Sequence, residues 1–245
     1  MTGKRPEVWD ALTGERYRVD EFTDDGVCTT FALPMEECRA WCVVFAASAG
    51  ERAADKAMDR IAKKPLQTID GSWKVTFRSP TAQPFVRTFR RLEDWSKSAD
   101  AEIAYFSGIA VYETAFDYAQ PTARTWISLG EVHDIARVIL NGHDLGVQWT
   151  QPWRVEATGY LKAKGNILRI EVANEWVNRL IGDAELPDDG TTDGKWPEWI
   201  LTNKPRSSGR TSFTACRFYQ NLKQQPLIPS GLVGPVKLYG EYVSH

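Results

Sequence analysis

The stretch that decides the fold is residues 127–183, ISLGEVHDIARVILNGHDLGVQWTQPWRVEATGYLKAKGNILRIEVANEWVNRLIGD. Its apolar run Ile135–Leu140 leads directly into Asn141-Gly142. That dipeptide is a strong hairpin signal, because both central residues of a tight hairpin turn take positive φ. A second turn, Gly165-Asn166, precedes another strand-like apolar run at 167–172. Short strands joined by such turns predict antiparallel pairing.

The same pattern continues on both sides of this stretch. Strands are predicted at residues 17–22, 28–33, 41–46, 73–77, 109–117 and 233–239. The continuous apolar run at 41–46 predicts a fully buried strand. Many short strands with frequent turns predict an all-β fold, an antiparallel β-sandwich or jelly roll.

One segment departs from the β pattern. In residues 51–64, ERAADKAMDRIAKK, small and apolar residues recur at helical spacing, with acids at the start and lysines at the end. This arrangement matches an amphipathic helix and its dipole, and Pro65 would end it. We therefore expect a partial β-sandwich segment at 1–48, a helical linker at 49–66 and a β-sandwich at 67–245.

The composition excludes several classes of function. A net charge of −2 over 245 residues gives no reason to expect nucleic acid or a membrane surface as a partner. The four cysteines show no metal-ligand spacing and are predicted to be free, buried thiols. The ten tryptophans are more informative, because aromatic rings can stack on the C–H faces of sugars.

Specific stretches point to a family. They are VWDALTG at 8–14, YFSGIAVY at 105–112, LGEV at 129–132 with LNGHDLG at 140–146, NEWVNRLIGD at 174–183 and PSGLVGPV at 229–236. Together they resemble the C-terminal part of family 106 glycoside hydrolases, the α-L-rhamnosidases. The stretches at 105–112 and 129–146 are shared with the galactose-binding-like sandwiches of family 2 glycosidases, whereas those at 174–183 and 229–236 are more specific.

The resemblance implies a galactose-binding-like sandwich that follows a catalytic (β/α)-barrel. In that family the barrel carries a glutamate pair and a calcium ion, and hydrolyses a terminal rhamnose linkage by acid–base chemistry. This sequence has no repeating βα pattern, so no catalytic residue is carried over. The expected role is a non-catalytic, carbohydrate-binding-like region. It would pack on the barrel domain, help shape the cleft and contact a rhamnose-containing glycan.

The residues at 174–183 and after the Asn141-Gly142 hairpin form the candidate carbohydrate site. Arginine and asparagine can bind hydroxyl or carboxylate groups, and tryptophan can stack on a sugar ring. The predicted residues are Trp149, Trp153, Trp176, Asn178, Arg179 and Asp183. Two alternatives stay open: Arg179 and Asp183 could form an internal brace, and Trp149 and Trp153 could cover the end of the sandwich.

Competing hypotheses remain at this point. The tryptophan-rich loops also suit a stand-alone, lectin-like binding module. A catalytic site using Glu175, Asp183, Glu185 or Glu198 is less favoured, since acidic loop residues are usually solvated. A structural calcium could involve Asp10, Asp183 and Asp188, although their spacing is not that of an EF-hand. The long polar segment 184–231 is expected to be functional, and its Trp196, Trp199 and Arg206 could pack against another domain.

Overall fold

A computed structural model describes residues 4–47, 56–57, 61–118, 124–189, 195–212 and 221–243. Over these residues the chain is an all-β sandwich built from several sheets, antiparallel except for one short parallel pairing. The predicted fold class is therefore confirmed.

The N-terminal part forms a small sheet and a hairpin. Its strands are β1 Lys4–Asp10, β2 Arg16–Arg18, β3 Phe22–Asp24, β4 Thr29–Phe31, β5 Trp41–Ala47 and β6 Lys56–Ala57. The sheet has the order β5-β1-β2-β6, and β3 pairs with β4. Asp10 ends β1, and its buried carboxylate is paired with Arg39 and accepts the backbone N–H of Leu12 (2.9 Å).

The larger part holds the remaining strands. They are β7 Ile61–Thr68, β8 Trp73–Ser79, β9 Ala82–Phe89, β10 Ile109–Phe116, β11 Thr125–Ser128, β12 Glu131–His133, β13 Ile135–Leu140, β14 His143–Gln148, β15 Arg154–Glu156, β16 Asn166–Ala173, β17 Gly231–Gly234 and β18 Lys237–Val243. One sheet has the order β14-β13-β16-β10-β8-β9 and another β15-β11-β18-β7, while β12 pairs with β17.

The helices are short. They are α1 Ala101–Ala104, α2 Val177–Ala184 and α3 Glu198–Leu201, with 3-10 turns at Trp95–Lys97 and Leu222–Gln224. Within the part of the chain described above, none is long and apolar enough to cross a membrane.

The hairpin predicted at Asn141-Gly142 joins β13 to β14. Both residues have positive φ, 53° and 85°, which matches the right-handed twist of the flanking strands. β13 covers the predicted run, and β10 and β16 begin or end within one residue of the predicted 109–117 and 167–172.

The core lies between the six-stranded sheet and the sheet β15-β11-β18-β7. Alternate residues of the strands point inward, so that one face of each sheet is buried. At one end, the Trp95 indole N–H donates to the Tyr112 hydroxyl (2.7 Å), which also accepts the backbone N–H of Leu232 (3.2 Å). Burial raises the pKa of the Tyr112 hydroxyl, so it stays neutral and keeps its proton. Gly231 lies against Trp95 with φ +93°, and a Cβ there would come 2.3 Å from the indole ring.

The predicted linker helix is wrong where the structure describes it. Residues 56–57 form β6, and 61–68 form β7, which pairs with the closing strand β18. Partners contributed by distant strands override a helical pattern, since local propensity is worth only tenths of a kcal/mol per residue. Pro65 is tolerated because β7 is at the edge of its sheet. Residues 51–55 and 58–60 lie outside the described residues, and β7 crosses the expected domain boundary at 67.

Other expectations need correction. The strand at 41–46 exists but is not fully buried, because β5 is the edge of its sheet and Val43 is 40% exposed. The closing strand at 233–239 is divided into β17 and β18 around Pro235, which cannot donate a ladder hydrogen bond. Cys28, Cys38 and Cys42 are free, as predicted, but exposed rather than buried. Cys216 lies outside the described residues.

Candidate functional site

The stretch 174–183 begins at the end of β16 and continues into α2. The Asn174 side chain accepts from the backbone N–H of Gly108 (3.1 Å) and donates to the carbonyl of Phe106 (2.9 Å). The Ser107 hydroxyl donates to the carbonyl of Glu175 (2.7 Å). The stretch at 105–112 therefore holds the start of this segment.

Asn178 joins α2 to the 229–236 stretch. Its amide nitrogen donates to the carbonyl of Ile228 (2.8 Å) and to the Ser230 hydroxyl (3.0 Å), and its oxygen accepts the Ile228 N–H (2.9 Å). Only 1% of Asn178 is exposed. Ser230 in turn donates its N–H to the buried carboxylate of Asp94 (3.0 Å). Burial raises the pKa of Asp94, but the hydrogen bonds from Ser230 and Ser96 outweigh it and hold that pKa below its usual value. Sequence reasoning missed Asp94, since nothing in its neighbourhood marks it as a partner of a residue far along the chain.

Arg179 and Asp183 form an internal brace, as in the alternative raised from the sequence. Their side chains are paired at 2.8 Å on adjacent turns of α2. The second Asp183 oxygen accepts from the backbone N–H groups of Thr211 (2.9 Å) and Ser212 (2.6 Å) and from the Ser212 hydroxyl (2.5 Å). The carboxylate is buried, so it anchors residues 211–212 of the long polar segment to α2.

Part of that segment is held by a second carboxylate. The Asp189 carboxylate accepts a bidentate pair of hydrogen bonds from Arg206 (2.7 and 2.8 Å). It also accepts a hydrogen bond from the Ser208 hydroxyl (2.5 Å). The Arg206 guanidinium therefore lowers the pKa of Asp189 to about 2. Arg206 also lies over the Trp199 ring, 4.5 Å from its centre. These contacts make the described part of the segment an ordered polar structure.

The three candidate tryptophans have different surroundings. Trp153 is buried in the sandwich core, which leaves little of its ring for stacking. Trp149 is 65% exposed and Trp176 is 40% exposed. Of the two candidate tryptophans after the hairpin, only Trp149 therefore presents an open ring, whereas Trp153 is part of the sandwich core.

Trp149 and Trp176 emerge at the same end of the six-stranded sheet. Ile109 and Ile135 both pair with Ala173 there, so their side chains share a face, and both are nearly half exposed. Trp149 follows directly after Gln148, which pairs beside Ile135, and Trp176 follows β16. Two strand spacings separate the two backbones, roughly 10 Å. We call Ile109, Ile135, Trp149 and Trp176 the sheet-end patch.

The carboxylates considered for calcium do not fit a shared ion. Asp10, Asp183 and Asp188 are each paired with a different arginine. A guanidinium competes with a cation for the same oxygens, and calcium takes at least six oxygen ligands. Within the described ranges, no three acidic, histidine or cysteine side chains form a metal-binding group.

Comparison with known proteins relates the chain to sugar-cleaving enzymes. The rhamnosidase from Novosphingobium sp. PP1Y is 32% identical, with a TM-score of 0.70, over 99% of this chain and 21% of that chain. The chain is a glycoside hydrolase-related domain. A Formosa agariphila protein named "Putative beta-glucuronidase" is 38% identical over 178 residues, which are 69% of this chain and 15% of that protein. The chain thus spans about a fifth or less of these relatives. No family model matches it.

Proposed function

We propose that the chain is the non-catalytic, carbohydrate-binding-like region of an α-L-rhamnosidase-like glycoside hydrolase of family 106, with a galactose-binding-like sandwich. The observation that carries this proposal is the likeness to the Novosphingobium rhamnosidase over 99% of this chain but only 21% of that one. In a protein of that length, most of the polypeptide lies outside the matched region. We assign the catalytic step to a (β/α)-barrel domain in that remainder.

The surroundings of the acidic residues support a non-catalytic role. A glycosidase places two carboxyl groups about 5–10 Å apart across the scissile bond, with one able to carry a proton. Asp183 is instead buried and paired with Arg179. Glu198 is exposed and paired with Lys204 at 2.9 Å. Neither environment favours proton transfer to a bound sugar.

The sheet-end patch is the surface that we assign to the barrel domain. Contiguous apolar side chains on a surface commonly mark an interface. The patch combines two isoleucines with two tryptophans, and the arginine of the Arg179–Asp183 brace follows three residues after Trp176. Docking there would bring α2 close to the cleft of the barrel, where it could help shape the sugar site.

A stand-alone carbohydrate-binding module is the second candidate. It is favoured by the open rings of Trp149 and Trp176, since stacking on a sugar needs an accessible aromatic face. In that case rhamnose or a rhamnose-containing oligosaccharide binds to the isolated chain. In the first proposal the isolated chain binds rhamnose weakly or not at all, because the barrel supplies the main contacts.

Two measurements test these alternatives. The purified chain is assayed with an aryl α-L-rhamnoside and an aryl β-D-glucuronide, and turnover of either would refute a non-catalytic role. It is then titrated calorimetrically with L-rhamnose and a rhamnose-containing oligosaccharide, alongside Trp149→Ala, Trp176→Ala and Arg179→Ala. Saturable binding that either tryptophan variant abolishes would establish the stand-alone module and contradict the first proposal.

A further inference from the structure

A cavity of about 310 Å³ lies where β9 ends, beside α1, and arginines dominate its wall. Arg87, Arg90 and Arg91 line it together with Glu93, and Phe89 and Ile103 supply buried apolar surface. We propose that this cavity binds an acidic saccharide, with Arg90 and Arg91 holding its carboxylate or sulfate group. The proposal rests on the glycoside hydrolase-associated function and adds a second ligand site to it.

The three arginines are not equivalent. Arg87 already contacts Asp100 (2.9 Å) and Glu102 (2.6 Å), which offset its charge and hold its side chain in place. Arg90 and Arg91 are exposed, and neither forms an ion pair with any residue that the structure describes. Their guanidinium groups are therefore available to an anion, which can accept two parallel N–H bonds from each.

The rest of the wall favours a sugar over a bare anion. The Glu93 carboxylate can accept hydrogen bonds from sugar hydroxyl groups, which inorganic sulfate does not have. The volume is at the lower end of the range for ligand pockets, about 300–1,000 Å³, and suits one or two sugar rings.

The backbone around the cavity is fixed by the core. Phe89 pairs with Trp73 at the end of β9, and Leu92 packs against the core next to Gly234. Asp94, three residues after Arg91, is buried and hydrogen-bonded to Ser230 and Ser96. The arginines thus project from a segment anchored on both sides, which lowers the entropy lost on binding.

This cavity is separate from the sheet-end patch. Ile109 of the patch pairs with Arg78 on β8, whereas Phe89 pairs with Trp73 at the opposite end of that strand. The intervening length of strand spans roughly 17 Å at about 3.4 Å per residue. Ligand binding at the two places can therefore be measured independently.

The test is a titration of the full chain in which two-dimensional NMR and calorimetry measure ligand binding. The ligands are D-glucuronate, D-galacturonate and glucose 6-sulfate, with D-glucose, D-galactose and sodium sulfate as references. We expect saturable binding of a uronate or of the sulfated sugar, at least tenfold tighter than that of the neutral sugars and of sulfate. Which acidic sugar binds distinguishes a carboxylate site from a sulfate site.

The double variant Arg90→Gln/Arg91→Gln should weaken this binding at least tenfold, while Arg78→Gln, an exposed arginine outside the cavity, should leave it unchanged. Both variants keep exposed polar side chains, so the NMR spectrum should show an intact fold. Equal affinity for neutral sugars, equal affinity for sulfate, no binding of any acidic sugar, or unchanged binding in the double variant would each overturn the proposal. The rhamnoside and rhamnose experiments above would be unaffected by that failure.

Discussion

Replacing Asp183 tests whether the Asn174–Asp183 segment is a structural brace. The carboxylate is 3% exposed, is paired with Arg179 and accepts three hydrogen bonds from Thr211 and Ser212. Removing one member of a buried pair costs about 3–5 kcal/mol, and each buried donor left unpaired costs about 1–3 kcal/mol. Arg179 is 21% exposed and can turn toward water, so the loss comes mainly from the donors of the long segment.

For Asp183→Ala we therefore expect about 3 kcal/mol less unfolding free energy, and a Tm lower by roughly 6–12 °C for a domain of this size. The isosteric Asp183→Asn should lose less, because its amide oxygen can still accept from Thr211 and Ser212 while its NH2 faces Arg179, which can turn toward water. Urea unfolding followed by tryptophan fluorescence measures both. Asp188→Ala is the control, since that carboxylate is 70% exposed and 3.4 Å from Arg210, and it should change stability by less than about 0.5 kcal/mol.

The brace also makes a prediction for local stability. Segment 195–212 should become sensitive to proteolysis in Asp183→Ala before the sandwich unfolds, because the hydrogen bonds to Thr211 and Ser212 tie it to α2. If Asp183→Ala unfolds within about 0.5 kcal/mol of the unmodified chain and is cleaved no faster, the brace does not stabilise the fold, and the reasoning is refuted.

Further outcomes follow from other parts of the structure. Gly231→Ala should lower the free energy of unfolding in urea by about 3 kcal/mol or more, because its φ is positive and a Cβ would overlap the Trp95 indole ring. The control Gly159→Ala also has positive φ but faces open space, so it should lose only about 1–2 kcal/mol. Equal losses in the two variants would contradict the close packing of Gly231 on the ring. Asp189 has its pKa lowered from 3.8 to about 2, so it stabilises the fold by about 2 kcal/mol above pH 4, and this is lost as pH falls toward 2. Asp189→Asn should therefore lower stability at pH 7 but make little difference near pH 2, and a pH-independent difference would argue against the arginine pairing. Tyr112→Phe leaves the N–H groups of Trp95 and Leu232 buried without an acceptor, so it should lower the free energy of unfolding by about 2–4 kcal/mol. Tyr160→Phe is the partly exposed control and should leave thermal unfolding nearly unchanged.

Local signals in the sequence were sufficient for much of the fold. The hairpin at Asn141-Gly142 depends on two neighbouring residues that tolerate positive φ. The alternation in β8, β13 and β16 shows which side chains enter the core. Such features need only nearest neighbours, so the all-β class could be predicted.

The candidate site could be predicted only in part. The sequence singled out the dense polar stretch 174–183 as a candidate site, but the partners of Asn178 and Asp183 are 50 and 28–29 residues away. A sequence pattern does not reveal whether an amide or carboxylate faces solvent or a distant backbone group. The arginines of the cavity carried no signal, because their importance depends on what surrounds them in space.

The sequence by itself therefore determined the central strands β8, β10, β13 and β16, the tight turn at Asn141-Gly142 and the all-β class, since these depend on short-range sterics and on the period of apolar residues. Tertiary structure alone decided that residues 61–68 are a strand, through pairing with β18, and that Trp153 is core while Trp149 is surface. It also decided that Asp183 and Asn178 brace loops, and that Arg90 and Arg91 line a cavity. The physical reason is the same in each case: pairing, burial and charge balance are set by residues far apart along the chain.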